Sequence, residues 1–271
     1  MSPHCNTKWP ALASLAGLFL VLLAGCSPAP EGRRLRVMTF NIRHAEGMDG
    51  EVDLERVIEV IRALDPDVVA LQEVDRTTAR AGGVDQAMEL GDRTGLEPMH
   101  GPNLELEPGE YGNAILSRWP FHEVQNLSLP RTAGGEQRGM LAVRVMADGE
   151  ELLLASTHLD HREDDAERRA GASAIAAFAA ARGELPMILG GDLNDAPDSA
   201  TLGILTEGWG SASAGRELAT FPADEPERQL DYVLFHPADR WRVVECRVID
   251  AGLASDHRPL FAVLELLPGA D

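Results

Sequence analysis

The sequence predicts an α/β fold in which two sheets pack face to face with helices outside. Three observations carry that expectation. From Leu35 onward, short apolar runs of strand length alternate with helical segments; the second half is rich in strands; and no linker divides the chain. Leu35–Ile42 reads as the first strand. Val52–Leu64 places Leu54, Val57, Ile58, Ile61 and Leu64 on one helical face, and Pro66 helps to end that helix. Asp67–Val74 contains the run Val68, Val69, Ala70 and Leu71, as a strand buried on both faces requires. Asp85–Thr94 reads as a helix behind the Gly82-Gly83 loop, and Asn113–Ser117, Gly139–Met146 and Glu151–Thr157 read as strands. Asp164–Arg182 is an alanine-rich helix with Gly183 placed to cap it. Leu185–Gly190, Leu230–Phe235, Trp241–Val248 and Leu260–Leu266 complete the strands.

Residues 1–25 read as a removable leader. Lys8 gives a weakly positive start, and Ala11–Gly25 is an uncharged run, shorter than the roughly 20 apolar residues that span a bilayer. It closes on Leu23-Ala24-Gly25-Cys26, which resembles the bacterial lipoprotein cleavage box. That resemblance implies cleavage before Cys26 and acylation of Cys26, followed by a tether over 26–34 and a folded domain over 35–271. It also implies a lipid anchor on the extracytoplasmic side of the cell envelope, with the membrane as partner. Cys246 is then the remaining free cysteine, so no disulfide is expected within the mature chain. Its alternation with Val244 and Val248 predicts a small buried side chain.

The formal net charge is −20, and Lys8 is the only lysine. A protein that grips long nucleic acid normally presents a basic footprint. The one short basic stretch is Arg33-Arg34-Leu35-Arg36, so no stable nucleic-acid partner is expected.

The informative polar residues sit at strand ends. Thr39-Phe40-Asn41, Gln72-Glu73, Thr157-His158-Leu159-Asp160 and Gly191-Asp192-Leu193-Asn194-Asp195 each close a strand; Asp231 opens one, and Ser255-Asp256-His257 precedes the last. Strand ends converge on one rim, so residues distant in sequence meet there. A hard cation such as Mg²⁺ takes oxygen ligands and keeps several waters. Glu73 can bind it directly, with Asn41 and Asp256 close by, and a bound cation neutralises charge developing on a phosphate. The Asn194 amide donates to a phosphate without adding repulsion. A histidine paired to a carboxylate is fixed in tautomer and orientation. His158 and His257 are the two histidines inside these motifs; His44 and His161 lie nearby, and His100, His122 and His236 read as surface or loop residues. Singly, each residue has an ordinary explanation. Asp192-Leu193-Asn194 suits a turn, Glu73 a solvated loop, and Arg138 a surface ion pair as readily as a substrate phosphate. Those ordinary explanations do not predict a shared order.

Taken together, the motifs resemble the endonuclease/exonuclease/phosphatase superfamily from about Leu35 to Leu266. The resemblance implies a four-layer α/β/β/α sandwich, two packed mixed sheets flanked by helices. It implies a metal site at Asn41, Glu73 and Asp256 holding Mg²⁺ or Mn²⁺. It makes Asp192 the residue that orients or activates water, and Asn194 a phosphate contact. Asp231 then orients His257, His158 stabilises the transition state or aids the leaving group, and Asn113 lies near the substrate phosphate. Thr157-His158-Leu159-Asp160 resembles the DNase I, sphingomyelinase and phosphatase side of the superfamily. The expectation is a monomeric, metal-dependent phosphoesterase acting on a small phosphoester or lipid headgroup. An extracytoplasmic DNase I-like endonuclease is the alternative, and a non-catalytic binding protein on the same scaffold stands third.

Overall fold

The computed structural model describes Met1, residues 32–132 and residues 134–269; Cys26 and residues 2–25 of the expected leader lie outside the described residues. Folding begins earlier than the expected tether allows. Strand β1 (Arg33–Asn41) already pairs Arg33 with Leu266 and Arg34 with Glu265. Next come α1 (Leu54–Leu64), β2 (Val68–Arg76), α2 (Gln86–Thr94), β3 (Glu97–Leu106), β4 (Gly109–Ser117), β5 (Phe121–Ser128) and β6 (Gly139–Ala147). The chain continues through β7 (Glu150–His158), α3 (Ala166–Ala180), β8 (Met187–Asp192), α4 (Ala200–Thr206), β9 (Gly210–Ser211), β10 (Asp231–His236), β11 (Trp241–Val248) and β12 (Leu260–Leu266).

One sheet has the order β11-β12-β1-β2-β4-β3, the other β5-β6-β7-β8-β10-β9. The β1–β2 and β7–β8 pairs are parallel and the rest antiparallel, so both sheets are mixed. Alternation along β1 divides its side chains between two cores. Leu35 and Val37 join Ile115, Leu154, Ile188 and Val233 between the sheets. Met38 and Phe40 face Val57, Ile58, Ile61 and Leu90 of the first helical layer. Beyond the second sheet, Met140, Leu153 and Leu189 pack on Ala172 and Ile175 of α3 and Leu202 of α4. The result is the expected α/β/β/α sandwich. Asp53 caps α1 by accepting from the Glu55 N–H, and Asp85 caps α2 by accepting from the Met88 N–H, satisfying donors that a helix start leaves open.

Several details differ from the sequence reading. Strands β3 and β5 lie at sheet edges, where Pro98 and Pro102 are tolerated and β5 keeps much of its length exposed. A bulge between Val243 and Glu245 breaks the alternation of β11, turning Val244 outward while Cys246 stays buried. Helix α3 stops at Ala180, and Gly183 takes the left-handed turn beyond it at φ +60°.

The sheets approach closely beside the rim. A Cβ built on Gly190 would lie 2.5 Å from the Ala70 Cβ and 3.0 Å from the Thr39 Cβ, both in the opposite sheet. Gly190→Ala should therefore destabilise the fold by about 1–3 kcal/mol through overpacking. Urea unfolding checks this; an unchanged midpoint and slope would show slack between the sheets.

Candidate active site

Strand register assembles half of the site. His158 aligns with Asp192 across the parallel β7–β8 pair, and Asp192 with Asp231 across the antiparallel β8–β10 pair. In the other sheet, Asn41 aligns with Gln72. Strand β2 then leaves register with β4 between Leu71 and Val74, and Glu73 sits in this bulge at φ +57°. That conformation is sparsely populated by residues bearing a Cβ, and the bulge turns Glu73 toward Asn41. Asn41 Nδ2 donates to Glu73 Oε1 at 2.9 Å and to Asp192 Oδ2 at 3.0 Å, joining the two sheets.

Asp192 is the hub. It is 1% exposed, its Oδ1 accepts from the Asn194 N–H at 3.0 Å, and its Oδ2 lies 3.5 Å from His158 Nε2 and 3.6 Å from His257 Nε2. The Asn194 backbone is left-handed at φ +50°, and its Nδ2 donates to the Leu159 carbonyl at 3.1 Å. His257 Nδ1 is 2.8 Å from Asp231 Oδ2, and the Phe221 ring packs on the imidazole at 4.9 Å between centroids. Ser255 Oγ fixes this loop by donating to the Asn41 carbonyl at 2.7 Å. Asp256 remains at the rim, 3.7 Å from Arg43 Nε.

Burial pushes the Asp192 carboxyl up to about 7, with Asp231 adding to the rise and His257 opposing it. For His257, burial opposes ionisation, yet Asp231 and Asp192 outweigh it and lift the imidazole to about 10. The imidazolium therefore sits between two carboxylates, and Asp192 is poised as a base near neutrality.

Two expected residues have different surroundings from those foreseen. Arg138 is buried rather than a surface ion pair; its Nη1 is 3.0 Å from His158 Nδ1 and 2.8 Å from Glu136 Oε1. Asn113 is fully buried, and its Nδ2 donates to the Gly139 carbonyl at 2.9 Å. It touches the site through the strand that follows Arg138, not through an open face. His44 is buried, and His100 is not a loop residue: it lies on β3 with Nε2 3.2 Å from the Val74 carbonyl. A cleft of about 400 Å³ is lined by Glu73, Arg80, Tyr111, Glu136, Arg138 and His161. Arg80 and Tyr111 escaped the sequence reading. Arg80 carries no local motif, and its place depends on a bidentate pairing with buried Asp75.

Asp192, Asp231 and His257 have ligand atoms within 4.8 Å of one another. A proton holds His257 Nδ1 to Asp231, which makes this trio a proton-handling unit. The oxygen donors Glu73, Asp256 and Asn41 suit a hard cation better, and Asn41 takes only one of the two Glu73 oxygens.

The model of the Endonuclease/Exonuclease/phosphatase family matches residues 38–257. The chain belongs to this family. Members of the endonuclease/exonuclease/phosphatase family hydrolyse phosphoester bonds, generally with a divalent metal. Its relatives include the uncharacterized protein YbhP of Escherichia coli K12, 26% identical over 249 residues, covering 85% of this chain and 96% of that one. A family structure from Beutenbergia cavernae is 25% identical, covers 87% of this chain and 72% of its own, and has a TM-score of 0.72. Two further structures share the fold. The human Nocturnin catalytic domain with bound sulfate is 21% identical with a TM-score of 0.71, covering 86% and 93% of the two chains. A mannosyl-6-phosphatase of Bacteroides thetaiotaomicron is 18% identical with a TM-score of 0.68, covering 85% and 99%.

Proposed function

We propose that the chain is a divalent-metal-dependent phosphoesterase acting on a small phosphoester, as a monomer anchored through Cys26 on the extracytoplasmic face of a bacterial membrane. The observation that carries the chemistry is the convergence of Asn41, His158, Asn194 and His257 on one buried carboxylate, Asp192. Glu73, with Asp256 and Asn41, would hold Mg²⁺ or Mn²⁺. The ion would neutralise charge on the phosphoryl group. Asp192 orients the attacking water and accepts its proton. The His257 imidazolium, held by Asp231, stabilises the added charge, while Asn194 binds a phosphoryl oxygen.

A small substrate is favoured over a polyanion by charge. The chain carries −20 overall, and the cleft on the far side of Asn194 is lined by Asp195, Asp198, Glu217 and Glu227 against the single cation Arg228. The mannosyl-6-phosphatase provides a precedent for a small phosphoester on this fold. A structure of zebrafish TDP2 with a single-stranded DNA product shows that the fold also accommodates nucleic acid, so a nuclease assay belongs in the test.

Protein lacking residues 1–26 should cleave p-nitrophenyl phosphate or its bis ester with Mg²⁺ or Mn²⁺, and EDTA should abolish turnover. Plasmid nicking that outpaces every small ester would replace this reading with the DNase alternative; no turnover of any phosphoester would end both. For the anchor, Cys26→Ser should move the protein from the membrane fraction to the soluble one. Unchanged sedimentation would refute lipidation.

A further inference from the structure

Arg138 makes contacts that neither a surface ion pair nor a phosphate ligand explains. Its Nη1 lies 3.0 Å from His158 Nδ1 and its Nη2 lies 3.2 Å from His161 Nδ1, so one buried guanidinium meets two imidazoles. A guanidinium offers five N–H donors and no lone pair, and it does not deprotonate. His158 Nδ1 must therefore be the acceptor. In a neutral ring the hydrogen then resides on Nε2.

At Nε2 the ring meets Asn194 Nδ2 at 3.0 Å and Asp192 Oδ2 at 3.5 Å. Asn194 Nδ2 is itself a donor, with one hydrogen already given to the Leu159 carbonyl. Two donors thus lie side by side, and the nearest carboxylate oxygen is at longer range. Such a pair repels until an acceptor oxygen enters between its members, which is the logic of an oxyanion hole.

We propose that Arg138 is a positioning residue that locks His158 as its Nε2–H tautomer, so that His158 and Asn194 together cradle one non-bridging phosphoryl oxygen. His158 keeps its proton throughout, and no bond to hydrogen is made or broken there; proton transfer stays with Asp192 and His257. The surroundings agree with a neutral ring. Burial, then Arg138, His257 and His161, push His158 well below the usual histidine range, and Asp192 is the one carboxylate within 4 Å of its ring nitrogens among the described residues. The inference deepens the phosphoesterase reading and rests on it only for the identity of the entering oxygen. The tautomer belongs to the free protein.

The test is ¹⁵N NMR of the full chain labelled at histidine, without metal at neutral pH. His158 should show a pyridine-like Nδ1 and a pyrrole-like Nε2. Arg138→Lys keeps a donor-only group and should preserve that pattern. Arg138→Gln supplies an oxygen that can accept from Nδ1–H; it should mix the tautomers and lower kcat by about 10²-fold, the cost of one oxyanion donor, with KM moved far less. A pyrrole-like Nδ1 in the wild type, or a doubly protonated ring, would overturn the lock. Equal kcat losses in both variants with unchanged His158 signals would do the same. If the expected pattern holds while no phosphoester is turned over, the tautomer lock stands and the assigned reaction falls.

Discussion

His257→Ala is expected to lower kcat by about 10²–10⁴-fold, the range typical of a positioned proton-handling group. The imidazole is 6% exposed, bonded to Asp231 at 2.8 Å and 3.6 Å from the Asp192 hub. Asp231→Asn keeps the shape but removes the charge that holds the ring as an imidazolium, and its loss should be comparable. Steady-state kinetics on the best ester would decide, and wild-type turnover by either variant would remove the pair from the reaction. The same pair has a signature in stability. His257 titrates near 6.5 when unfolded and is raised to about 10 when folded, so the folded state binds the extra proton between those values. Its stabilisation is complete below pH 6.5 and lost as pH rises through about 10. Asp192, raised from 3.8 to about 7, pushes in the same direction over its own window. Metal-free wild-type protein should thus show a Tm that falls with pH above 6.5, more steeply than that of Asp231→Asn.

Glu73→Gln should remove both metal-dependent activity and metal-dependent stability. A cation that binds only the folded state stabilises it by about 2.7 kcal/mol at 100 times its Kd. Wild-type Tm should rise with Mn²⁺ or Mg²⁺ and return on chelation, whereas the variant should show no shift. Glutamine keeps the side-chain size, an oxygen able to accept from Asn41 and the same left-handed backbone requirement at φ +57°. A lost shift therefore reports ligation and not misfolding. Asn41→Ala should behave differently, with affinity weakened by about 10–100-fold, because Asn41 orients the Glu73 carboxylate at 2.9 Å. An undiminished metal shift in Glu73→Gln would move the cation elsewhere, with Asp192, Asp231 and His257 as the next candidates.

Interior strands were legible because burial on both faces leaves continuous apolar runs, as in Val68–Leu71 and Met187–Leu189. Edge strands β3 and β5 were not, since solvent and prolines erase the pattern. The candidate site was legible as a set of residues, because strand ends carried them in a recognisable order. Its geometry was not. That Asp192 meets both His158 and Asp231 follows from two strand registers, and that Glu73 turns toward Asn41 follows from a bulge. Arg138 illustrates the limit. Beside Glu136 it reads as a surface pair as readily as a phosphate contact, and only the folded chain brings it under His158, 20 residues away.

Strand β1 also has a practical meaning. The chain enters the described domain at Gly32 and reaches Asn41 at the other end of that strand, about 26 Å from Arg33 at roughly 3.3 Å per residue. The entry point and the catalytic rim are opposite poles of one rod. A resin, an electrode or a fused reporter joined ahead of Gly32 therefore attaches behind the enzyme and leaves its mouth open to dissolved molecules.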